Sequence, residues 1–214
     1  DAPEVVFTDL GLESTTTAAD DDKRFTVESR LNIEKVGAGD HASGPFLTTF
    51  AMRDVEVNAW NGLLGAITDL QLLKSTQVAG LSRQAMMEQQ MQAMGAVSQG
   101  VKDLATSGVS IGFPEIKLQF VEGEFTGNAM FNHPQLADDQ VTDQTLIMEQ
   151  LTGEVNARMP MSLVEAQPSL QQQVAPLLQQ GFFVQDGDDL TLTARLKDIA
   201  VDINGNTMPL PPLM

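Results

Sequence analysis

Residues Phe182–Leu210 read FFVQDGDDLTLTARLKDIAVDINGNTMPL, and this stretch decides the fold. From Leu190 to Leu196 apolar residues alternate with threonine and arginine, and a second alternation runs from Ile199 to Ile203. Asp-Gly and Asn-Gly pairs punctuate these runs, and both pairs are typical of tight hairpin turns. The stretch therefore predicts a meander of short antiparallel strands. A period of two places apolar side chains on one face of the sheet, so elements elsewhere in the chain are expected to cover that face.

Strand-like patterns recur upstream, and they alternate with polar or glycine-rich segments. The predicted strands are Val5–Leu12, Phe25–Ile33, Phe46–Val57, Val109–Phe120, Phe125–Phe131 and Leu146–Met161. The predicted connections are a polar turn at Thr15–Lys23, a flexible loop at Gly37–Pro45 and an acidic loop at Asn132–Asp143.

The period changes from two to 3.6 after the third strand. One stripe of a helix is formed by Trp60, Leu63, Leu64, Ile67 and Leu70,. Asn58 is a plausible N-cap for this helix. Gly62 and Gly65 weaken it, so we expect them to permit close packing on the sheet.

A second and longer helix is predicted over Ser82–Ala105, after a break near Ser75–Gly80. Ser82 is its expected N-cap, and Ser107-Gly108 is the expected stop,. A third, broken helix is predicted from Ser162, where Ser162 and Glu165 match a capping box, to Gln180,. Pro168 and Pro176 interrupt it.

The order of elements predicts an α+β fold. We expect a largely antiparallel, twisted and curved sheet of many strands, with two amphipathic helices and one broken short helix packed on one face. The chain of 214 residues is long enough for a sizeable core,. The domain prediction is a single elongated domain of residues 1–214, with two sub-lobes, 1–131 and 132–214, as the alternative.

Charge and composition exclude several classes of function. Twelve Lys and Arg against 29 Asp and Glu give a net charge of −17, which opposes binding to nucleic acid and to anionic membrane surfaces,. The chain has no cysteine, which removes disulfides, thiolate metal sites and thiol nucleophiles,. It has no apolar run of about 18 residues, the length that a membrane-spanning helix needs,. Because it begins with Asp1, we expect it to be a processed or excised form of a longer protein,.

A nucleophile-elbow pattern, G-x-S-x-G, occurs at Gly108–Gly112 with Ser110 at its centre. The elbow needs a strand before the serine and a helix after it, and here the predicted order is the reverse. Only His133 lies downstream as a candidate base. With His41 it completes the histidines of the chain, and two separated histidines indicate loop residues rather than a metal site,. A serine acyl hydrolase is therefore the least favoured function, and no catalytic, cofactor or metal residue is predicted.

Three acidic clusters have oxygen ligands on tight turns, a chemistry that suits calcium. They are Asp20-Asp21-Asp22, Asp138-Asp139 and Asp186-Gly187-Asp188-Asp189. None has the spacing of an EF-hand loop, and turn chemistry accounts for Asp-Gly without an ion.

Methionines line one face of the second helix, and two interpretations remain open for them. The stripe belongs either to a helix packed on a sheet or to a groove between helix and sheet that takes an acyl chain or a peptide. The residues predicted to line such a groove are Met87, Met91, Met94, Val97, Val101, Trp60, Leu64 and Ile67.

Four segments of the chain carry a resemblance to a known family, and they are Asp54–Leu64, Val155–Leu163, Gly181–Asp198 and Val201–Asn206. Together they resemble the C-terminal region of the YdgA-like family of Gram-negative envelope proteins. The resemblance implies a periplasmic location and, in the longer protein, an N-terminal membrane anchor. It implies no catalytic residues, because the family has no established activity.

The function expected from the sequence is that of a non-enzymatic envelope domain that binds a protein partner or acts as a scaffold. A lipid- or acyl-chain-binding module that uses the methionine-lined groove is the alternative. No cofactor and no nucleic acid are expected.

Overall fold

The structure, a computed structural model, describes residues 5–19, 22–39, 41–75 and 83–210. Within these residues one sheet contains eleven strands. The strands are β1 (Val5–Ala18), β2 (Arg24–Ala38), β3 (His41–Ser43), β4 (Phe46–Glu56), β5 (Ser107–Phe120), β6 (Gly123–Gln135), β7 (Thr152–Pro160), β8 (Val184–Asp186), β9 (Asp189–Lys197), β10 (Ala200–Ile203) and β11 (Asn206–Pro209). The helices are α1 (Val57–Ser75), α2 (Arg83–Thr106), α3 (Gln144–Gln150), α4 (Met161–Ala166) and α5 (Pro168–Gln179).

The sheet is open, and its pairs are antiparallel. Its order is β1-β2-β4-β5-β6-β7-β9-β10-β11, while β3 pairs with β2 and β8 with β9. This confirms the predicted antiparallel sheet of many strands. Residue 131, where the alternative two-lobe division was placed, lies inside β6, which pairs with β5 and β7. The choice between one domain and two sub-lobes stays a prediction.

The predicted closing meander forms from β8 to β11. The turn between β10 and β11 has Asn204 and Gly205 at φ values of 50° and 87°, the conformation that makes Asn-Gly a strong hairpin signal,. Asp198 and Ile199 also adopt positive φ, 52° and 54°, between β9 and β10. A β-branched residue rarely takes this conformation, so the sequence did not indicate a two-residue turn there.

The first strands are longer than predicted. β1 continues to Ala18, so the polar turn expected at Thr15–Lys23 is shorter. The loop expected at Gly37–Pro45 contains the end of β2 and the short strand β3. The threonines of β1 favour this extension, because threonine fits a pleated strand.

Register divides the sheet into an apolar and a polar face. Directly opposite residues point to the same side, and one side carries a row that is apolar apart from its threonine: Leu31, Thr48, Ile116, Gly127, Ala157 and Leu192,. We call this side the apolar face. The polar face carries Thr126, Asn128, Asn156, Arg158, Thr191 and Thr193. Contacts of α1, α3, α4 and α5 with the sheet include residues of the apolar face, as the following paragraphs describe.

Helices α1 and α2 pack chiefly on each other and touch the sheet through β4, β5 and β6. Leu63 and Ala66 of α1 and Ala93 and Gly100 of α2 are buried. A side-chain carbon added at Gly100 would lie 2.9 Å from the Cα of Leu63, so only glycine permits this crossing distance. Where α1 begins, Trp60 contacts the Phe25 ring edge to face, at 6.2 Å between centroids.

Two expectations for α1 are wrong. The cap is not Asn58, because the carboxylate of Glu56 accepts the backbone N–H of Ala59 at 2.6 Å. Gly62 and Gly65 do not mark close packing, because a side-chain carbon at either position would meet no atom within 4 Å.

The strand predicted over Leu146–Met161 begins with a helix instead. Asp143 caps α3 by accepting the backbone N–H groups of Thr145 and Leu146 at 2.9 and 3.1 Å. Strand β7 starts only at Thr152. Leu146, Ile147 and Met148 form an apolar run that fits either structure, and the aspartate cap decides for the helix.

The predicted broken helix is present as α4 and α5, which are separated at Gln167. Their side chains cover the apolar face over β7 and β9, where Met159, Val164, Val174 and Leu190 form a buried cluster. The capping box expected at Ser162 is wrong. Pro160 occupies the cap position, and the Ser162 hydroxyl donates to the carbonyl of Glu122 at 2.8 Å.

Three sequence features lie outside the described residues. They are Asp20 and Asp21 of the first acidic cluster, most of the break at Ser75–Gly80, and the expected cap Ser82. Among the helices that the structure does describe, none combines the length and the apolar character needed to cross a membrane.

Candidate functional site

The apolar face is partly open, and its open part is aromatic. Phe113 and Phe131 are each 40% exposed and Ile111 is 38% exposed. Ile111 lies directly opposite Phe131, and the ring of Phe50 lies 5.5 Å from that of Phe113. A side-chain carbon at Gly153 would come within 2.6 Å of the Phe131 ring. We call Phe50, Ile111, Phe113, Phe131 and Gly153 the aromatic floor.

Helices cover the same face on two sides of the aromatic floor. On β6, His133 follows Phe131 by two residues and is bonded to α3. On β7, Met159 lies six residues beyond Gly153, about 20 Å along the strand, beneath α4 and α5,. The expectation that one face of the sheet is buried is therefore met around Met159 and Leu190 but not at the aromatic floor. A patch of exposed aromatic side chains between covered regions is a feature of binding surfaces.

The methionine stripe of α2 is exposed and does not lie between helix and sheet. Met87, Met91 and Met94 are more than half exposed, as is Val101. The side of α2 that faces α1 carries smaller residues instead, including Ala93 and Gly100. The expected packing of the stripe on the sheet is therefore wrong, and the described residues form no methionine-lined groove against the sheet.

The remaining predicted groove residues are divided among different surroundings. Val97 is half-buried, and with Ala93, Gly100 and Leu104 it follows the heptad spacing of the side that packs on α1,. Trp60 and Ile67 are half-buried, whereas Leu64 is exposed. The structure thus does not bring the eight predicted residues together.

Ser110 and His133 do not form a nucleophile and base pair. Ser110 lies inside β5 and not in a turn between strand and helix. It is opposite Asn132, so it points to the face opposite that of His133. The ring of His133 is buried, with Nδ1 2.7 Å from the Pro134 carbonyl and Nε2 2.9 Å from that of Ile147. Both ring nitrogens face carbonyl oxygens of Pro134 and Ile147, so neither is directed at Ser110.

A cavity of about 630 Å³ is lined by Ser110, His133 and Arg24, where strands β2, β4, β5 and β6 begin or end. The guanidinium of Arg24 donates to the carbonyls of Asp54, Ser107 and Gly108 and to the Gln135 amide oxygen. These bonds join β2, β4, β5 and β6. Arg24 is therefore engaged in holding strands together and does not present a free charge to a ligand.

The acidic clusters are not assembled into a metal site within the described residues, where no group of three His, Asp or Glu side chains is close enough to hold an ion. Asp189 is bound instead by Arg158, whose Nε donates to it at 2.9 Å and whose Nη2 donates to the same carboxylate oxygen. The backbone carbonyl of Asp188 accepts a hydrogen bond from the backbone N–H of Met161 at 2.8 Å. His41 belongs to strand β3 rather than to a loop.

An ion pair between Glu115 and Lys117 on the polar face shifts the pKa values of both side chains. Lys117 Nζ lies 2.6 Å from the Glu115 carboxylate. This hydrogen bond lowers the pKa of Glu115 and raises the pKa of Lys117. Both side chains are well exposed, so the pair is a surface feature and not a functional acid and base,.

Comparison of the sequence with known protein families assigns the chain to one family. A family model described as "Bacterial protein of unknown function (DUF945)" matches residues 1–211. No curated protein and no solved structure matches the chain. Because the family match spans nearly its whole length, the chain belongs to DUF945, a bacterial protein family of unknown function.

Proposed function

We propose that this chain is a non-enzymatic interaction module that binds a partner protein on the aromatic floor. The observation that carries the proposal is the exposure of Ile111, Phe113 and Phe131 on a face whose neighbouring regions are covered by helices. Leaving such side chains in water costs about 25 cal/mol per Å² of apolar surface that a partner could bury. Aromatic side chains of this kind are enriched among the residues that dominate binding energy at protein interfaces.

The charge of the chain narrows the class of partner. A net charge of −17 repels acidic proteins and accelerates encounters with basic ones,. A basic protein that places apolar side chains on the aromatic floor is therefore the partner that fits best.

The proposed setting is the bacterial cell envelope, with a periplasmic location. Support comes from the resemblance of four segments, among them Gly181–Asp198, to the C-terminal region of YdgA-like envelope proteins. Within DUF945 we therefore propose that the chain is a YdgA-like member. Fusions of the full-length natural protein to a reporter that is active only in the periplasm, and separately to one that is active only in the cytoplasm, test the location, and activity only from the cytoplasmic reporter would refute it.

Site-specific photo-crosslinking tests the binding surface. A photoreactive residue at Phe113 should give discrete adducts with one protein in intact cells. The same residue at Asn128, on the polar face, is the matched control and should give none. Equal adducts at both positions, or none at Phe113, would contradict the proposed site.

A second candidate is an acyl-chain-binding module on the same surface. The aromatic floor contains no charged side chain, which is compatible with a hydrocarbon ligand,. Native mass spectrometry of the gently purified chain separates the candidates. A retained lipid mass that Phe113→Asp abolishes favours the acyl chain, whereas a single protein mass favours the protein partner.

A further inference from the structure

Strand β1 is an edge that no other element pairs within the described part of the chain. It begins the strand order, is 14 residues long and has only β2 as a neighbour. All its side chains are exposed. In an antiparallel pair about half of the backbone N–H and C=O groups point away from the partner strand. β1 therefore presents a long row of unpaired donors and acceptors.

This edge lacks most of the devices by which sheet edges are usually protected, and its charged side chains are the two acids Asp9 and Glu13,. Such edges are short, carry lysine or proline, or contain bulges that shift the register. Val5–Ala18 contains no lysine, arginine or proline, and its register with β2 is constant throughout. Asp9 has a φ of 50°, yet the register is the same on both sides of it. The opposite edge, β11, is only four residues long and ends in Pro209.

The side chains of β1 specify which strand would fit. Leu10 and Leu12 extend the apolar face and are 64% and 72% exposed. Glu13 lies on the polar face directly opposite Arg30 of β2, and Asp9 shares its parity; β1 itself carries no cation. Directly opposite side chains on neighbouring strands interact favourably when apolar meets apolar or acid meets base. The complementary strand therefore alternates apolar residues with lysine or arginine.

Charge opposes a second copy of the chain at this edge. When two β1 strands pair antiparallel with Leu10 opposite Leu12, Asp9 lies opposite Glu13 twice, and only other registers, such as Leu10 opposite Leu10, avoid this repulsion. Like charges directly opposite each other are destabilising, and each copy carries a net charge of −17,. The net charge of each copy thus favours a basic partner over self-association,.

From these observations we infer that β1 is a strand-addition site, which takes an extended segment of a basic protein as an additional antiparallel strand of the sheet, the direction in which β1 already pairs with β2. The inference rests on the proposed function, since it states how part of the partner is held. Main-chain hydrogen bonds provide the attachment, and the alternation of side chains provides the selectivity.

The test uses a peptide of about ten residues that alternates valine and lysine, and measures its affinity for the 214-residue chain by fluorescence anisotropy,. Two further peptides carry N-methyl groups on every second residue, one on the odd and one on the even positions. Only one set of amides faces β1, so one methylated peptide should bind at least about tenfold more weakly while the other keeps its affinity. Equal affinity of the two methylated peptides would overturn the inference, because it would show attraction by charge alone, which does not depend on where the methyl groups lie. No binding of the parent peptide would overturn it as well.

Charge variants provide the second measurement. Glu13→Lys should weaken binding of the parent peptide about three- to tenfold, and Glu165→Lys, the same change at an exposed position of α4, should weaken it less,. Circular dichroism establishes that both variants are folded. A dimer in sedimentation experiments, together with a crosslink between the β1 strands of two copies, would contradict the prediction of a basic partner. It would show that a second copy of the chain occupies this edge. Photo-crosslinking at Phe113 is independent of β1, so failure of the peptide test alone leaves the aromatic floor standing as the proposed site.

Discussion

Replacing Gly100 by alanine should destabilise the α1–α2 pair, and Gly95→Ala in the same helix is its matched control. The new methyl group at Gly100 would lie 2.9 Å from the Cα of Leu63 and 3.2 Å from its Cβ. At Gly95 it would meet no atom within 4 Å. The two substitutions are chemically identical, so they differ only in this contact.

The expected magnitude combines two opposing effects. Alanine is about 1 kcal/mol more favourable than glycine in a helix interior, so Gly95→Ala should raise the free energy of unfolding by about that amount. Overpacking a close contact costs about 1–3 kcal/mol. For Gly100→Ala the sum ranges from no change to a loss of about 2 kcal/mol, and the two variants should differ by about 1–3 kcal/mol.

Urea unfolding, followed by far-ultraviolet circular dichroism and by the fluorescence of Trp60, measures both free energies. Trp60 reports on the junction between α1 and the sheet, where it contacts Phe25. A Gly100→Ala variant as stable as Gly95→Ala would show that the helices can move apart without cost, and would refute the close crossing at Leu63.

Leu190→Ala should lower the free energy of unfolding in the urea titration by about 2–5 kcal/mol, because Leu190 is fully buried,. Leu12→Ala at the exposed edge should change it by less than about 0.5 kcal/mol,. Similar losses for both would contradict the burial. His133→Ala should cost about 1–3 kcal/mol and speed hydrogen exchange in α3, whose Ile147 carbonyl the ring bonds, and unchanged exchange would refute that tether,. The pKa of Glu115 is lowered from its ordinary value of 4.5, so its pairing with Lys117 stabilises the fold fully above that value, and the contribution is lost as pH falls through the lowered pKa,. In an NMR titration, Lys117→Gln should return the Glu115 carboxyl toward its ordinary range, and an unmoved titration would show that the hydrogen bond is not the cause.

Strand periodicity predicted most of the sheet, because alternation reports directly on which side of a strand is apolar. Phe25–Ile33, Phe46–Val57 and Val109–Phe120 all fall within or nearly within observed strands. The same rule cannot separate a short helix from a strand in a run such as Leu146–Met148, where both structures place apolar residues acceptably. The cap at Asp143 was the available signal for α3.

The candidate site was less predictable, because a large apolar side chain on a helix is not necessarily a buried one. Large methionines indicated the packed face of α2, yet α1 comes so close that only small residues such as Ala93 and Gly100 fit between the helices. Periodicity also assigns Ile111, Phe113 and Phe131 to the apolar face, but it does not say which part of that face the helices cover. That outcome depends on where α3, α4 and α5 attach. The periplasmic location and the absence of an enzymatic role stay predictions.

The order of strands in the sheet follows their order in the chain, and this has a consequence for how the protein folds. Each strand on the path from β1 to β11 pairs with the path strand that precedes it in sequence, so most pairing partners are joined by short connections or by a helical insertion. Sheets dominated by such local pairings close small loops and fold faster than sheets built from distant segments. A chain that emerges from its N-terminus can therefore add one strand after another to a template that is already formed, without waiting for its last residues.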